Sequence, residues 1–443
     1  MEVQSMQLLQ DLSSFLDKNP TAWHAVDDCA RRLKDQGFIA LKEAESWSLK
    51  AGQRYYIKHH QSSICAFILP AKSTKRVRLL ASHTDSPSFK LKPQPEIRRH
   101  QAILFGIEVY GAPLLSSWLN RDLGLAGRVV YATKDKQLQE RLVRLEKFPL
   151  VIPQLAIHLD REVNEKGLLL NKQEHLNALL ALEQEIPAKS SYLEMLLRDE
   201  LDFEQLLSFD LLLFPIEKAR FIGYKQQLLS SYRIDSLASV HAALSALLDD
   251  PSPLEEDIKM VIFWDNEEVG SHTAQGAESP FFNQTLERLL LALGKSREDY
   301  FRVLSQSHCT SIDLAHALHP NYADKHDAQH HPILGKGVVV KTNAQQRYAS
   351  DAYSSLPIYV LASKHHIPLQ KFVSRNDMPC GSTIGPLQAC ISGIPTVDIG
   401  CGQLSMHSCR ELMACQDHLH LFNLLKAVLQ TNEWPQINRN QIE

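Results

Sequence analysis

Apolar residues recur along the chain with two periods, one typical of helices and one typical of strands. Residues 6–16 carry leucines and a phenylalanine at helical spacing, which predicts an N-terminal helix. Short apolar runs at 63–69 and 77–82 predict strands, and the run 258–264 reads as a buried strand because it is almost wholly apolar. In 235–248 the apolar positions fall every three or four residues and predict a second helix.

The segment 93–232 has a different pattern. It opens with the strand breakers Pro93 and Pro95 and continues with short β-like runs, polar turns and leucine-rich charged stretches. From residue 233 onward, predicted strands and helices alternate, which favours the α/β class with a mixed, mostly parallel sheet flanked by helices. We therefore predict one domain made of 1–92 and 233–443, interrupted by a smaller β-rich domain at 93–232.

Further elements are predicted in the second half of the chain. They are helices near 283–293 and 417–430 and strands at 300–304, 337–340 and 395–399. His316 and His319 stand three residues apart and could share one face of a helix, or they could be loop histidines with polar contacts.

Composition narrows the class of protein. A chain of 443 residues predicts roughly two to three domains at about 150 residues each. The net charge of −4 gives no basic field for nucleic acid. No apolar run reaches the ~18 residues of a membrane span, and the N-terminus lacks a signal-peptide pattern. Eight cysteines without a Cys-x-x-Cys pair indicate reduced thiols, so we expect a cytoplasmic protein.

Two adjacent acids, Glu267 and Glu268, stand in the loop directly after the apolar run 258–264. Like charges held close together raise one pKa, whereas a bound cation holds both carboxylates ionised. The pair therefore suggests one metal ligand and one group that moves protons. Taken alone, the same two residues also fit a solvated loop with ordinary surface acids.

Other candidate ligands lie at predicted strand ends or helix starts. His83 with Asp85 fits a metal ligand and the carboxylate that orients it, or a plain loop histidine. Asp235 fits a helix N-cap or a carboxylate that bridges two metals. Together with Asp313 and His407, these residues supply the nitrogen and oxygen donors that a pair of zinc-like ions uses.

Several segments of the chain resemble, in order, the aspartyl aminopeptidase family of M18-type metallo-aminopeptidases. They are 81–87, 120–128, 265–271, 313–322, 375–386 and 406–408. The resemblance implies a catalytic α/β domain interrupted by a dimerisation domain, and a homododecamer built from dimers. It also implies a dinuclear metal-dependent aminopeptidase that removes N-terminal residues, preferably Asp or Glu, from peptides with a free N-terminus.

The resemblance also assigns roles to particular residues. The implied metal ligands are His83, Asp235 as the bridge, Glu268, Asp313 and His407. Glu267 is implied as the general base and Asp85 as the residue that orients His83. The expected cofactor is two divalent ions, Zn²⁺ first, although Mn²⁺ and Co²⁺ suit the same donors.

Four residues are implied to contact the substrate. A histidine that reaches a neighbouring subunit's site matches His158, which could instead be a polar-face residue of a strand. Lys341 matches the basic residue associated with an acidic substrate side chain, although a strand-end lysine is usually a solvated charge. His319 and Tyr348 are expected to line the same pocket.

Three alternative functions stay open on the sequence. An aminopeptidase could prefer neutral N-terminal residues, and a related metallohydrolase could cleave N-acyl substrates. A non-catalytic assembly protein is the third alternative, against which the complete set of acids and histidines argues.

Overall fold

The structure is a computed structural model that describes residues 2–183 and 191–436. In chain order its strands are β1 (Ile39–Leu41), β2 (Arg54–His59), β3 (Ser63–Ile68), β4 (Arg76–His83), β5 (Ser88–Arg99), β6 (Ala102–Tyr110), β7 (Leu123–Ala132), β8 (Leu138–Leu150), β9 (Ala178–Leu182), β10 (Gln205–Pro215), β11 (Arg220–Ile222), β12 (Leu228–Ser231), β13 (Asp257–Trp264), β14 (His308–Ile312), β15 (Ala315–His316), β16 (Val338–Lys341), β17 (Leu369–Phe372), β18 (Thr396–Gly400), β19 (Gly402–Leu404) and β20 (Glu411–Ala414).

The α-helices cover the sheets from several sides. They are α1 (Glu2–Lys18), α2 (Ala22–Asp35), α3 (Val163–Lys166), α4 (Tyr192–Arg198), α5 (Ile234–Asp249), α6 (Phe281–Ala292), α7 (Arg297–Gln306), α8 (Leu356–Lys364), α9 (Ile384–Ser392) and α10 (Cys415–Gln430). In the part of the chain that the structure describes, no helix is long and apolar enough to cross a membrane.

The largest sheet has nine strands among the described residues, in the order β1-β2-β3-β13-β4-β14-β18-β16-β17. Five of its eight strand pairs are parallel and three are antiparallel. Helices pack against both faces, so the predicted α/β class with a mixed, mostly parallel sheet is confirmed.

Burial on both faces explains why β13 reads as a continuous apolar run. Ile258 and Met260 point into one core, which α6, α7 and α9 help to form. Val261 and Phe263 point into the other core, shared with α1, α2, α5, α8 and α10. Strand side chains alternate between the two faces, so β13 is packed against a core on each side. This packing fixes the position of its carboxyl end.

The predicted strand at 300–304 is wrong, because this segment lies within α7. Ser296 caps that helix: its hydroxyl accepts the Asp299 N–H, and the Asp299 carboxylate accepts the Ser296 N–H. Tyr300 and Val303 are the buried residues of this helix, and their spacing of three fits one helical face. A short apolar run does not by itself distinguish a strand from a helix.

A second sheet is antiparallel throughout and follows the order β8-β7-β10-β5-β6-β9. It has its own core, which includes Phe89, Phe105 and Trp118. Strand β5 starts before the predicted domain boundary at 92/93 and runs through Pro93 and Pro95, with a register shift between Leu91 and Glu96. The two prolines therefore mark an irregularity in a strand rather than its end.

A third, smaller sheet has the order β11-β12-β20-β19-β15. His316 lies in β15 and pairs with Gln403 of β19, while His319 lies in the loop that follows. The predicted shared helical face for these two histidines is therefore wrong. This sheet holds two loops of the candidate site next to each other, one after β12 and one between β19 and β20.

Candidate active site

Parallel strands bring the first candidate residues together. His83 ends β4, and it pairs in register with Trp264, the last residue of β13. The loop with Glu267 and Glu268 therefore begins beside His83. On the other side of β4, strand β14 ends at Ile312, so Asp313 emerges at the same edge. Side chains that follow neighbouring parallel strands converge in this way in open α/β sheets.

Asp85 connects His83 to the glutamate loop. One carboxylate oxygen accepts the backbone N–H of Glu267 at 3.1 Å and lies 3.4 Å from His83 Nδ1. The other oxygen accepts the backbone N–H of Glu268 at 3.1 Å and the Tyr110 hydroxyl at 2.7 Å. Asp85 is thus placed to orient the His83 ring and the loop that carries both glutamates.

Asp235 lies at the centre of the cluster. Its Oδ1 is 3.3 Å from His83 Nε2, and its Oδ2 is 3.6 Å from His407 Nε2. His83 Nε2 is also 3.4 Å from Asp313 Oδ1, and His407 Nε2 is 3.4 Å from Glu268 Oε2. The side chains therefore form two groups that share Asp235, and a third group joins His83 with Glu267 and Glu268; within each group the donor atoms lie within 4.8 Å of one another.

The helix-cap interpretation of Asp235 is wrong. Its backbone, with φ −84° and ψ 109°, is one that a cap residue adopts, but Asp235 Oδ1 has no hydrogen-bond partner among the described residues. Its carboxylate faces the two histidines instead of the N–H groups of α5.

Charge crowding perturbs the cluster strongly. Burial, reinforced by nearby carboxylates, raises the pKa of Glu267 to about 8 and the pKa of Glu268 well above its usual value. Burial opposes ionisation of Asp235 too, but contacts with His407 and His83 hold its pKa below the usual range. The same contacts with Asp235 raise the pKa of His407 to about 10, against the effect of burial. So many buried acids in one place call for compensating cations.

The donor set fits divalent metal ions. Asp235 Oδ1 and Glu268 Oε1 are buried and have no hydrogen-bond partner among the described residues. An unsatisfied buried carboxylate oxygen is costly, and coordination to a metal removes that cost. Imidazole nitrogens with carboxylate oxygens are the donors that Zn²⁺ accepts at catalytic sites.

Comparison with known proteins agrees with this chemistry. The family described as aminopeptidase I zinc metalloprotease (M18) matches residues 15–428. The chain belongs to the M18 aminopeptidase family. A probable M18 family aminopeptidase 2 from Clostridium novyi (strain NT) is 40% identical over 427 residues, which cover 95% of this chain and 98% of the relative. The M18 resemblance found in the sequence motifs is confirmed, and the protein is a metallo-aminopeptidase.

Solved structures show the same M18 fold. The chain in the cryo-EM structure of the Ape4 and Nbr1 complex is 33% identical with a TM-score of 0.91, over 96% of this chain and 86% of that one. The structure of the S. cerevesiae mApe1 dodecamer is 27% identical with a TM-score of 0.82, over 94% and 95% of the two chains.

The M18 chain places Lys341 against a metal-ligand candidate. Lys341 is buried, and its ammonium donates to the carbonyl oxygens of Asp313 and Leu314 at 3.1 and 3.0 Å. It also lies 3.4 Å from Asp313 Oδ2. Tyr348 is buried beside it, with its ring centre 5.1 Å from the ammonium. In this geometry the three donor positions of Lys341 hold the Asp313 segment.

His319 and His158 lie apart from the cluster. His319 is half-buried and lines a cavity of about 310 Å³ that Met406, the neighbour of His407, also lines. His158 lies in an exposed turn, so the alternative that placed it in a strand is wrong. Among the described residues, no hydrogen bond or ion pair connects His158 to the cluster within the same chain. Its role at a neighbour's site stays a prediction.

Two further residues that contact the cluster were not predicted from the sequence. Tyr110, from the second sheet, donates to Asp85 and accepts the Asn266 side-chain amide at 2.9 Å. Glu411 accepts backbone N–H groups of Asp235 and His407. Neither residue carries a local signal, since one is a strand tyrosine and the other an acid four positions after His407.

Proposed function

We propose that this M18 enzyme is a dinuclear aminopeptidase with a preference for N-terminal Asp or Glu. The observation that carries the dinuclear proposal is Asp235, whose two oxygens face different histidines. His83 and Asp313 would hold one ion and Glu268 with His407 the other, with Asp235 shared between them. Zn²⁺ follows from the family description, and Mn²⁺ or Co²⁺ would fit the same donors.

Bound divalent ions would lower the pKa of a coordinated water and polarise the substrate carbonyl. The residues of the chain supply the proton transfers. Glu267 accepts a proton from the attacking water and later gives it to the leaving amine. Asp85 keeps Glu267 in place through the backbone N–H. A free substrate amino group distinguishes this reaction from removal of an N-acyl group.

Basic side chains near the cluster support the acidic preference. The cavity beside Met406 is lined by five basic or imidazole side chains and one carboxylate; they are His316, His319, Lys325, His326, Arg375 and Asp327. Burial lowers the pKa of His316 and His326, so Lys325 and Arg375 are the cations of this cavity. A cation near the substrate attracts an acidic side chain and disfavours a basic one. The contacts of Lys341 with Asp313 favour the alternative, a neutral preference, because they already occupy its ammonium.

A panel of unblocked dipeptides that begin with Asp, Glu, Leu and Lys tests the specificity. We expect Asp and Glu to be cleaved fastest, and a chelator to abolish cleavage of all four. We propose that Lys341 adds to the acidic preference through its charge alone, since its ammonium bonds to Asp313 and Leu314. In Lys341→Met we therefore expect kcat/KM for Asp and Glu to fall about 10-fold more than kcat/KM for Leu. The Leu substrate is the internal control for damage to Asp313. Equal losses on all substrates would remove Lys341 from substrate recognition. The N-acetylated forms of the same dipeptides are assayed beside the panel, and cleavage of these alone would favour a deacylase.

Assembly into a homododecamer built from dimers is part of the proposal. Its support is the mApe1 dodecamer, whose fold the chain shares. The β-rich domain is proposed to form the dimer, and the exposed Leu155, Ile157 and Leu159 beside His158 suit a covered surface. The eight cysteines are unpaired, which supports a reducing compartment and the cytoplasm as the proposed location.

Mixing two inactive variants tests the role of His158. We expect His158→Phe and Glu267→Gln each to be inactive, and to regain activity after they are dissociated, mixed and reassembled. Random reassembly makes half of the dimers mixed. In a mixed dimer one site combines an intact Glu267 with the neighbour's intact His158, and the other site lacks both, so recovery should approach about one quarter of the wild-type rate. An active His158→Phe enzyme, or no recovery on mixing, would exclude the crossed site.

A further inference from the structure

Glu411 is a buried acid that lies behind the cluster rather than in it. Only 1% of its surface is exposed. One carboxylate oxygen accepts the backbone N–H of Asp235 at 2.9 Å. The other accepts the backbone N–H of His407 at 2.7 Å and lies 3.5 Å from Gln403 Nε2. A single carboxylate thus joins the main chains of two candidate ligands that are far apart in sequence.

The third sheet explains how one side chain reaches both segments. Glu411 begins β20, which lies between β12 and β19. Ser231 of β12 pairs with Glu411, and the chain continues from β12 to Asp235. The turn between β19 and β20 carries His407. The start of β20 is therefore the place where the two segments meet.

The backbone of the turn that carries His407 has an unusual conformation that surrounding contacts must stabilise. Ser405 and His407 have φ angles of 57° and 66°, in the left-handed region that residues other than glycine seldom adopt. Such a backbone persists where surrounding contacts determine it. The bond from Glu411 to the His407 N–H is one such contact, and the Leu114 N–H donates to the His407 carbonyl at 2.9 Å.

We propose that Glu411 is a positioning residue for the shared metal site: its carboxylate fixes the Asp235 and His407 backbones so that both side chains face one ion. This inference rests on the proposed dinuclear function. Two acceptor oxygens on one group are essential to it. A glutamine in the same place has one oxygen, and its NH₂ group would face a backbone N–H that needs an acceptor.

The chain provides a matched control at Asp417. This carboxylate is also buried, and each of its oxygens accepts one backbone N–H at 2.8 Å, from Gly335 and from Gly337. Its partners are not candidate metal ligands. Asp417→Asn therefore makes the same chemical change as Glu411→Gln, with a similar loss of stability, but away from the two ligand segments.

The test measures binding of Zn²⁺ to metal-free protein by competition with a chromophoric chelator. We expect Glu411→Gln to lower the affinity for the more weakly bound of the two ions by about 10- to 100-fold, the range found for groups that orient metal ligands. Asp417→Asn should bind both ions like the wild type, although both variants should unfold at lower denaturant concentration. Glu411→Asp, which keeps the charge and can retain one of the two bonds, should lie between the wild type and Glu411→Gln.

The outcomes separate this inference from the proposed function. If the wild type binds only one ion, the dinuclear proposal itself fails. If the wild type binds two ions and both Glu411 variants bind them with wild-type affinity, the positioning role alone is overturned. An equal loss of Zn²⁺ affinity in Asp417→Asn would also overturn it, because the effect would then follow from general destabilisation.

Discussion

Glu267→Gln is expected to lower kcat by about 10²- to 10⁴-fold, the usual contribution of a general acid–base group. Glutamine keeps the size of the side chain and cannot accept the proton of the attacking water. The bonds that place this residue come from its backbone N–H to Asp85 and are unchanged by the substitution. Metal content should therefore equal that of the wild type, and KM should change far less than kcat.

Steady-state kinetics and metal analysis of the same preparation check this prediction. Glu255→Gln is a suitable control, because Glu255 is an exposed acid paired with Lys72 on the surface. We expect wild-type kinetics for it. A Glu267→Gln enzyme that turns over near the wild-type rate would exclude Glu267 as the base, and a loss of metal would make it a ligand instead.

Asp235→Asn is expected to abolish activity by a different route, through loss of metal. Asp235 has one carboxylate oxygen facing His83 and the other facing His407. Asparagine keeps the shape but removes the charge that holds the two ions together. Because metal ions contribute several kcal/mol of charge stabilisation in the transition state, the rate should fall on the order of 10³-fold or more.

Metal analysis distinguishes this variant from Glu267→Gln. We expect Asp235→Asn to retain less than the two ions of the wild type, and excess Zn²⁺ to restore little activity. The exposed acid Asp202, which pairs with Lys134, gives a control in Asp202→Asn. Full metal content in Asp235→Asn would argue that this carboxylate does not bridge two ions.

Hydrophobic periodicity identified the central elements because burial dominates there. The run 258–264 matches β13 almost residue for residue, and 235–248 falls within α5. The strand predicted at 300–304 was wrong because the segment belongs to α7. Capping by Ser296, rather than hydrophobicity, determines where that helix starts. Pairing between distant strands, as in the third sheet, leaves no periodic signal in a single segment.

Residues of the candidate site that belong to a sequence motif could be predicted. Residues that act through contacts between segments distant in sequence could not. His83 and Glu268 stand in motifs that a reader of the sequence can recognise. Glu411 and Tyr110 act through bonds to residues more than 20 positions away or to backbone groups, so no local pattern marks them. The structure also adds what no motif states, that the ammonium of Lys341 contacts Asp313.

Titration of metal-free protein with Zn²⁺, with hydrolysis of a Glu dipeptide recorded at each addition, tests the central claim most directly. The shared position of Asp235 between two groups of donors predicts that activity reaches its maximum only when two ions are bound per chain. Full activity at one ion per chain, or undiminished activity of the metal-free protein, would contradict the dinuclear site.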